Sequence, residues 1–485
     1  MRLAALCDDE VRLRGSGEIE IGGLALDSRA VRTGDLFAAM PGTRTDGGRF
    51  LAEAVARGAV AVLGDAQLAA ATGLPALVAK EPRAALARVA ARFYGPQPAM
   101  VAAVTGTAGK SSVAVFTRQL WAAAGRRAAS IGTLGLQTSD APGEGSLTTP
   151  DPITLHRKAA ELAAARIDHL VLEASSHGLD QHRVDGFRLA AAAFTNISRD
   201  HFDYHGSASA YFAAKRRLFA ELLPAGATAV LNADIPEFAD LASLAAERRL
   251  RILDYGTRGQ ALRLLRWSPT ADGQELEVEL QGRRHRFQTG LVGAFQAHNL
   301  LAAAGLALAT GITADTVLAH LASLRAPAGR MQLVALHPSG APAFVDYAHK
   351  PEALAKALEG LRPHTRARLV VVFGCGGDRD AGKRPLMGEI AARLADEVVV
   401  TDDNPRTEDA AAIRAAVLAG APGAVEIGDR EQAIRRAFAG LGADDTLLVA
   451  GKGHETYQIV GDRTLPFDDA LVLREAARLA GGAAA

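Results

Sequence analysis

The chain has 485 residues, enough for about three domains at the usual ~150 residues each, and its 54 basic and 54 acidic side chains cancel. A balanced charge provides no general attraction to nucleic acid or to an anionic membrane, so specificity has to reside in local sites. With 49% hydrophobic and 22% charged residues, the composition is that of a folded protein and excludes a disordered or fibrous one.

Cys7 and Cys375 lie far apart in sequence, so no disulfide framework is expected and a reducing, cytoplasmic setting is. The opening MRLAALCDDEVRLR turns acidic after Cys7 and lacks the apolar core of a secretory leader. The most apolar later stretch, 300–314, is shorter than the ~20 residues a membrane span requires.

Short apolar runs ending in glycine or polar residues alternate with Ala/Leu/Arg-rich stretches, without a fixed-period repeat. That pattern predicts parallel α/β domains. The first segment predicts a strand at 59–64, and the prolines of YGPQPAM at 94–100 predict a linker. A strand at 101–104, a turn at 105–112 and a helix at 113–124 follow. Further strands are predicted at 169–172, 191–195 and 228–231, then a β-rich stretch at 276–287 and a long helix from about residue 296. RAPAGR at 325–330 is the next boundary, and strands at 368–373, 397–401 and 446–450 each run into a polar loop. The expected domains are therefore 1–98, 99–326 and 327–485.

Strand, turn and helix around Thr105, Gly106, Thr107, Ala108, Gly109, Lys110, Ser111 and Ser112 place backbone N–H groups and a helix N-terminus at one point, which suits phosphate oxygens. Lys110 would reach the terminal phosphates and the Ser111 hydroxyl would ligate Mg²⁺. The spacing departs from the usual loop, because Gly106 and Gly109 enclose two residues rather than four.

Strands 169–172 and 191–195 run into Glu173-Ala-Ser-Ser-His177 and Asn196-Ile-Ser-Arg-Asp-His201. In a parallel sheet both loops emerge at the edge of the phosphate loop. Glu173 and His201 are thus candidate magnesium ligands, with the carboxylate the better match to a hard cation. Zinc at His201 and His205 lacks a cysteine or a clear third ligand. Lys215, inside the helical run 209–223, reads on its own as a solvated lysine.

The ordered motifs TGTAGKSS, LTTPD (147–151), EASSHGLDQHRV (173–184), TNISRDHFDYHG (195–206), YFAAKRRLF (211–219), VDYAHKPEAL (345–354), GCGGDRDAGKRPLMG (374–388), DNPRTED (403–409) and AGKGHE (450–455) resemble the Mur ligases. More narrowly they resemble the members that add the third residue of the peptidoglycan stem peptide. The resemblance spans nearly the whole chain. It implies an N-terminal α/β domain for the UDP substrate, a central P-loop ATPase with a mostly parallel sheet, and a C-terminal Rossmann-like domain for the amino acid. It also implies ATP and Mg²⁺, with Lys215 carbamylated by CO2 into a carboxylate-like ligand beside Ser111, Glu173 and His201. Matching positions for the uridine-nucleotide substrate are Leu26, Ser28, Thr43, Arg44, Thr45, Thr148, Thr149, Ser175, Gln181 and Arg183. Asn299, Arg330 and Asp346 are the matching contacts to ATP. Ala108 and Gln296 stand where the family usually has Asn. Small-molecule substrates, no nucleic-acid or membrane partner, and a monomer are expected.

GCGGDRD after a strand lacks the third glycine of a dinucleotide fingerprint, because Arg379 stands there. A guanidinium suits a carboxylate, which it grips as a planar fork. Loops at one sheet edge would gather Arg379, Asp403, Asn404, Pro405, Arg406, Gly451 and Glu455, cations and anions that match the zwitterionic far end of meso-diaminopimelate better than that of lysine. The implied reaction passes through an acyl phosphate, with Lys110 offsetting charge and His177 orienting substrate or moving a proton. A folylpolyglutamate synthetase-like ligase is disfavoured by LDSR and DNPR. A non-catalytic nucleotide-binding regulator is disfavoured by the joint presence of Lys110, Glu173, His201 and Lys215.

Overall fold

A computed structural model describes residues 1–40, 47–138, 147–270 and 272–484. Three separate sheets organise them, each made where apolar runs of the sequence can be covered by helices. The first contains β1 (Val11–Arg14), β2 (Gly23–Ala25), β3 (Asp35–Ala38), β4 (Ala61–Gly64) and β5 (Ala76–Ala79), in the order β1-β5-β4-β3-β2. All neighbours are parallel except β1 with β5. The predicted strand at 59–64 is β4; its companions have three or four residues each, too few to display a period. Helix Pro82–Tyr94 starts on a proline and buries Leu86, Val89 and Ala90 against this sheet.

The central sheet holds β6 (Met100–Thr105), β7 (Ala128–Gly132), β8 (Gly135–Thr138), β9 (His169–Glu173), β10 (Leu189–Phe194), β11 (Thr228–Asn232), β12 (Arg251–Gly256), β13 (Leu262–Thr270), β14 (Gly273–Leu280) and β15 (Arg283–Thr289). Their order is β15-β14-β13-β12-β11-β10-β6-β9-β7-β8. From β7 across to β13 the neighbours run parallel, while β8 and the β13-β14-β15 meander are antiparallel. β6 is apolar on both faces because both are covered. Ala102 and Val104 join Phe116, Leu120, Trp121 and Leu300 on one side, and Val101 and Ala103 join Leu155, Leu162 and Leu241 on the other. Each fully buried large side chain in these layers contributes about 1.5–3 kcal/mol.

The third sheet holds β16 (Gln332–Leu336), β17 (Pro342–Asp346), β18 (Leu369–Phe373), β19 (Glu397–Val400), β20 (Val425–Glu426) and β21 (Thr446–Ala450). A hairpin of β22 (Tyr457–Val460) and β23 (Arg463–Pro466) stands apart, and β24 (Ala483–Ala484) completes the order β20-β19-β18-β21-β17-β16-β24. Because β17, β21, β18 and β19 are parallel, the loops after all four emerge at one edge.

Two elements differ from expectation. The helix predicted at 113–124 begins at Lys110, since Gly109 supplies a left-handed residue (φ 88°) that turns the chain straight into it. The helical run 209–223 is α-helical over Ala208–Arg217 and widens into a π-turn at Leu218–Leu222. Among the described residues no helix is long and apolar enough to cross a membrane.

Candidate active site

The phosphate loop is held from behind by the segment that follows β10. The Ala108 N–H donates to Asn196 Oδ1 (3.0 Å), Thr195 Oγ1 donates to the Ala108 carbonyl (2.7 Å), and the Thr107 N–H donates to the Asn196 carbonyl (2.9 Å). Thr107 Oγ1 also accepts the Ser198 N–H and lies 3.0 Å from Tyr211 Oη. A side chain at Gly109 would collide with Asn299, so glycine is required both for its φ and for this approach. Thr195, Asn196, Ser198 and Tyr211 fall within the motifs TNISRDHFDYHG and YFAAKRRLF, but the sequence singles out none of them for a role of its own. The first three follow a strand beside the phosphate loop, which is the signal that could have found them.

Ser111 Oγ, at the first turn of Lys110–Ala123, donates to Glu173 Oε2 at 3.0 Å. The Thr133 N–H donates to Glu173 Oε1 at 3.1 Å. Burial pushes the Glu173 carboxyl up, against the opposing pull of Lys110 and Arg330. Lys110 folds back on the carbonyls of Gly106 (2.8 Å) and Thr107 (3.0 Å). Lys215 is 1% exposed, not solvated, and its Nζ donates to the same Gly106 carbonyl at 2.9 Å and sits 4.5 Å from the Tyr211 ring. Burial, and next the Lys110 charge, hold its ammonium well below the ordinary lysine value.

His201 adopts φ 55° and lies 3.4 Å from Asp200, with its ring 4.7 Å from that of His177. Burial pulls the His201 imidazole down to about 4, so it is neutral at physiological pH. His177 also packs against Tyr204 and His205. Among the described residues no three His, Cys, Asp or Glu side chains cluster as a ready-made metal cage. The paired oxygens of Ser111 and Glu173 nonetheless have the hard-donor chemistry that magnesium takes.

Several expected substrate positions form one network on the other side of Glu173. Thr149 Oγ1 donates to the Glu173 carbonyl (2.8 Å) and lies 2.9 Å from Ser175 Oγ, which caps the helix Ser176–Asp180. Arg183 donates to the Thr149 carbonyl (2.7 Å) and to Gln181 Oε1 (2.6 Å), and Thr148 meets Thr133. In the first domain Leu26 is exposed while Ser28 is buried and donates to Glu53. Thr43, Arg44 and Thr45 lie outside the described residues.

The C-terminal domain reaches this centre through the loop after β17. Lys350 forms an ion pair with Asp200 at 2.9 Å, and Lys383 donates to the His349 carbonyl at 2.7 Å. Arg330 lies 4.7 Å from the Tyr347 ring, and its Nε is buried without a partner among the described residues. Asp346 accepts the Met331 N–H at 2.7 Å, and burial pushes its carboxyl up to about 6.

The loops after β18, β19 and β21 do converge. Thr407 donates to Asp378 (2.6 Å), Arg384 pairs with Glu408 (2.8 Å), and Arg406 donates to the Gly377 carbonyl (2.8 Å). Asn404 Nδ2 donates to Glu455 Oε2 at 2.9 Å, and Asp403 and Pro405 are buried beside it. Arg379 is exposed on the first of these loops and Gly451 takes φ 116° on the third. Lys452 and Arg430, both buried beneath the loops, were missed because buried cations leave no mark in a sequence.

Residues 20–94 match the Mur ligase family catalytic domain, 104–307 the Mur ligase middle domain, and 329–453 the Mur ligase glutamate ligase domain. The UDP-N-acetylmuramoyl-L-alanyl-D-glutamate--2,6-diaminopimelate ligase of Bradyrhizobium diazoefficiens is 54% identical, over 93% of this chain and 93% of its own. The ligase of the same name from Caulobacter vibrioides is 53% identical, over 93% and 94%. A solved structure of a ligase with that name superposes with a TM-score of 0.73 at 31% identity, covering 99% of both chains. MurF ligase from Thermotoga maritima in complex with ADP shares the fold, with a TM-score of 0.61 at 20% identity over 88% of this chain and 93% of its own.

Proposed function

This chain belongs to the Mur ligase family, and from that premise we infer the reaction its site performs: ATP-dependent ligation of meso-2,6-diaminopimelate to the D-glutamyl γ-carboxylate of UDP-MurNAc-L-Ala-D-Glu. The observation that carries this reading is the ion pair of Lys350, on the loop after β17 of the third domain, with Asp200, on the segment after β10 that backs the phosphate loop of the second.

ATP lies along the loop 105–112, with its phosphates on the N-terminus of the helix Lys110–Ala123 and its remainder toward Asn299, Arg330 and Asp346. Arg330 Nε, buried without a partner among the described residues, supports that placement. The muramoyl dipeptide enters past Thr148, Thr149, Ser175, Gln181 and Arg183, which sets its γ-carboxylate against the terminal phosphate. Lys110 leaves the loop carbonyls to follow charge onto the transferring group. Ser111, Glu173 and a carbamylated Lys215, with His201 neutral beside them, are the residues that would hold magnesium. When bound, the cation lowers the repulsion between phosphate and carboxylate.

The γ-carboxylate oxygen takes the phosphoryl group, forming an acyl phosphate and ADP. The amine of diaminopimelate then attacks the acyl carbon and phosphate leaves. His177, whose basicity burial lowers, orients the substrate or accepts a proton from the amine. Closure of the third domain excludes water that would hydrolyse the acyl phosphate. Arg379 and Arg406 take the distal carboxylate, while Asp403 and Glu455 take the distal ammonium. The free thiols of Cys7 and Cys375 accord with a cytoplasmic setting.

The test is phosphate release together with tripeptide formation, run with diaminopimelate and with lysine in parallel. Diaminopimelate is expected to be used and lysine poorly. Equal rates would overturn the specificity, and no ADP from the complete mixture would overturn the activity.

A further inference from the structure

Beneath the candidate amino-acid pocket lies a cation that none of the roles above uses. Lys452 is 0% exposed. It sits between Gly451 (φ 116°) and Gly453 (φ 57°), where added side chains would meet Asp403 and Tyr347. The two glycines therefore let the chain turn tightly enough to bury the lysine between them.

The Lys452 ammonium donates to Asn404 Oδ1 at 3.2 Å and to Glu455 Oε2 at 3.4 Å. A second donor, the Ile459 N–H, reaches the same Asn404 oxygen at 2.9 Å. Two donors on Oδ1 define which way the amide faces, so Nδ2 is turned to Glu455 Oε2, at 2.9 Å. Glu455 is thereby held through one oxygen by both Lys452 and Asn404, leaving Oε1 as the oxygen of this carboxylate that can receive a substrate ammonium.

We propose that Lys452 is a positioning residue for amino-acid specificity: it locks the Asn404 amide and the Glu455 carboxylate in the one arrangement that accepts the zwitterionic end of the incoming amino acid. This rests on the assignment of Asn404 and Glu455 to the diaminopimelate site. A neutral side chain at 452 removes one of the two donors that orient the amide. A flipped amide would set Asn404 Oδ1 against Glu455 Oε2, acceptor facing acceptor, and Glu455 would swing away.

The experiment is steady-state kinetics on the full-length enzyme, with each of the three substrates varied in turn. Lys452→Met is expected to raise KM for diaminopimelate about tenfold or more and to narrow the preference over lysine, with KM for ATP and for the UDP-linked dipeptide within about twofold of wild type. Combined with Asn404→Ala, it should add less than the product of the two single effects, because both act on Glu455. An unchanged KM for diaminopimelate, an equal rise for all three substrates, or independent effects in the double variant would overturn the proposal. If Lys452→Met does not fold, Lys452→Gln reads the same quantities, with a smaller rise expected in the diaminopimelate KM alone. Failure of the wild-type enzyme to use diaminopimelate would instead overturn the site assignment itself.

Discussion

Lys110 and Lys215 donate to the same atom, the carbonyl oxygen of Gly106, at 2.8 and 2.9 Å. One lysine opens the phosphate-loop helix and the other arrives from 109 residues away. Two ammonium groups sharing one oxygen repel each other, and burial disfavours the charge on both. Lowering the basicity of Lys215 favours its neutral amine, the form that can add CO2, and that is the physical support for proposing a carbamate there.

Lys215→Arg keeps a cation but cannot be carbamylated. It is expected to lower kcat by about two orders of magnitude or more. Carbon NMR of the wild-type enzyme in labelled bicarbonate should show a carbamate resonance that the variant lacks. A variant of wild-type rate would exclude a carbamate ligand.

The Asp346 carboxyl, pushed up by burial to about 6 from 3.8, binds its proton more tightly folded than unfolded. Its contribution to stability is therefore complete below the unfolded value and is lost as pH rises through about 6. Asp346→Asn should remove that slope and leave the ligand-free variant about 2 kcal/mol more stable than wild type at neutral pH. Denaturant midpoints measured at several pH values across this window check it, and parallel curves for the two proteins would refute it.

Lys350 and Asp200 join the third domain to the second across partly exposed surface. Such a pair contributes about 0.5 kcal/mol or less to stability, so its role is in placing the two halves of the site. Lys350→Ala should leave the denaturation midpoint unchanged while lowering kcat severalfold. Lys350→Arg should recover most of the rate, and the wild-type advantage should shrink at high salt.

Arg430 and Asp469 form an ion pair that is fully buried, with Arg430 also donating to the Ala450 carbonyl at 3.0 Å. Removing one partner leaves a buried charge uncompensated. Asp469→Ala is expected to destabilise the protein by about 3–5 kcal/mol, and the double replacement Arg430→Met with Asp469→Leu by much less. Chemical denaturation compares them; equal losses would show that the charges are not energetically coupled.

Much of this protein is legible in its sequence because parallel strands covered on both faces must be continuous apolar runs, and the residues after them must be polar. The strands Met100–Thr105, His169–Glu173 and Thr446–Ala450, the phosphate loop between Gly106 and Gly109, and Glu173 at a strand end all follow from that rule. What tertiary structure alone decided is the state of the lysines. Lys215 on a helix and Lys452 between glycines look like solvated cations in a linear chain, since a lysine's environment is set by whatever the fold packs around it. Their burial against Gly106 and against Asn404 comes from segments 109 and 48 residues away, and a local pattern carries no record of contacts at that separation.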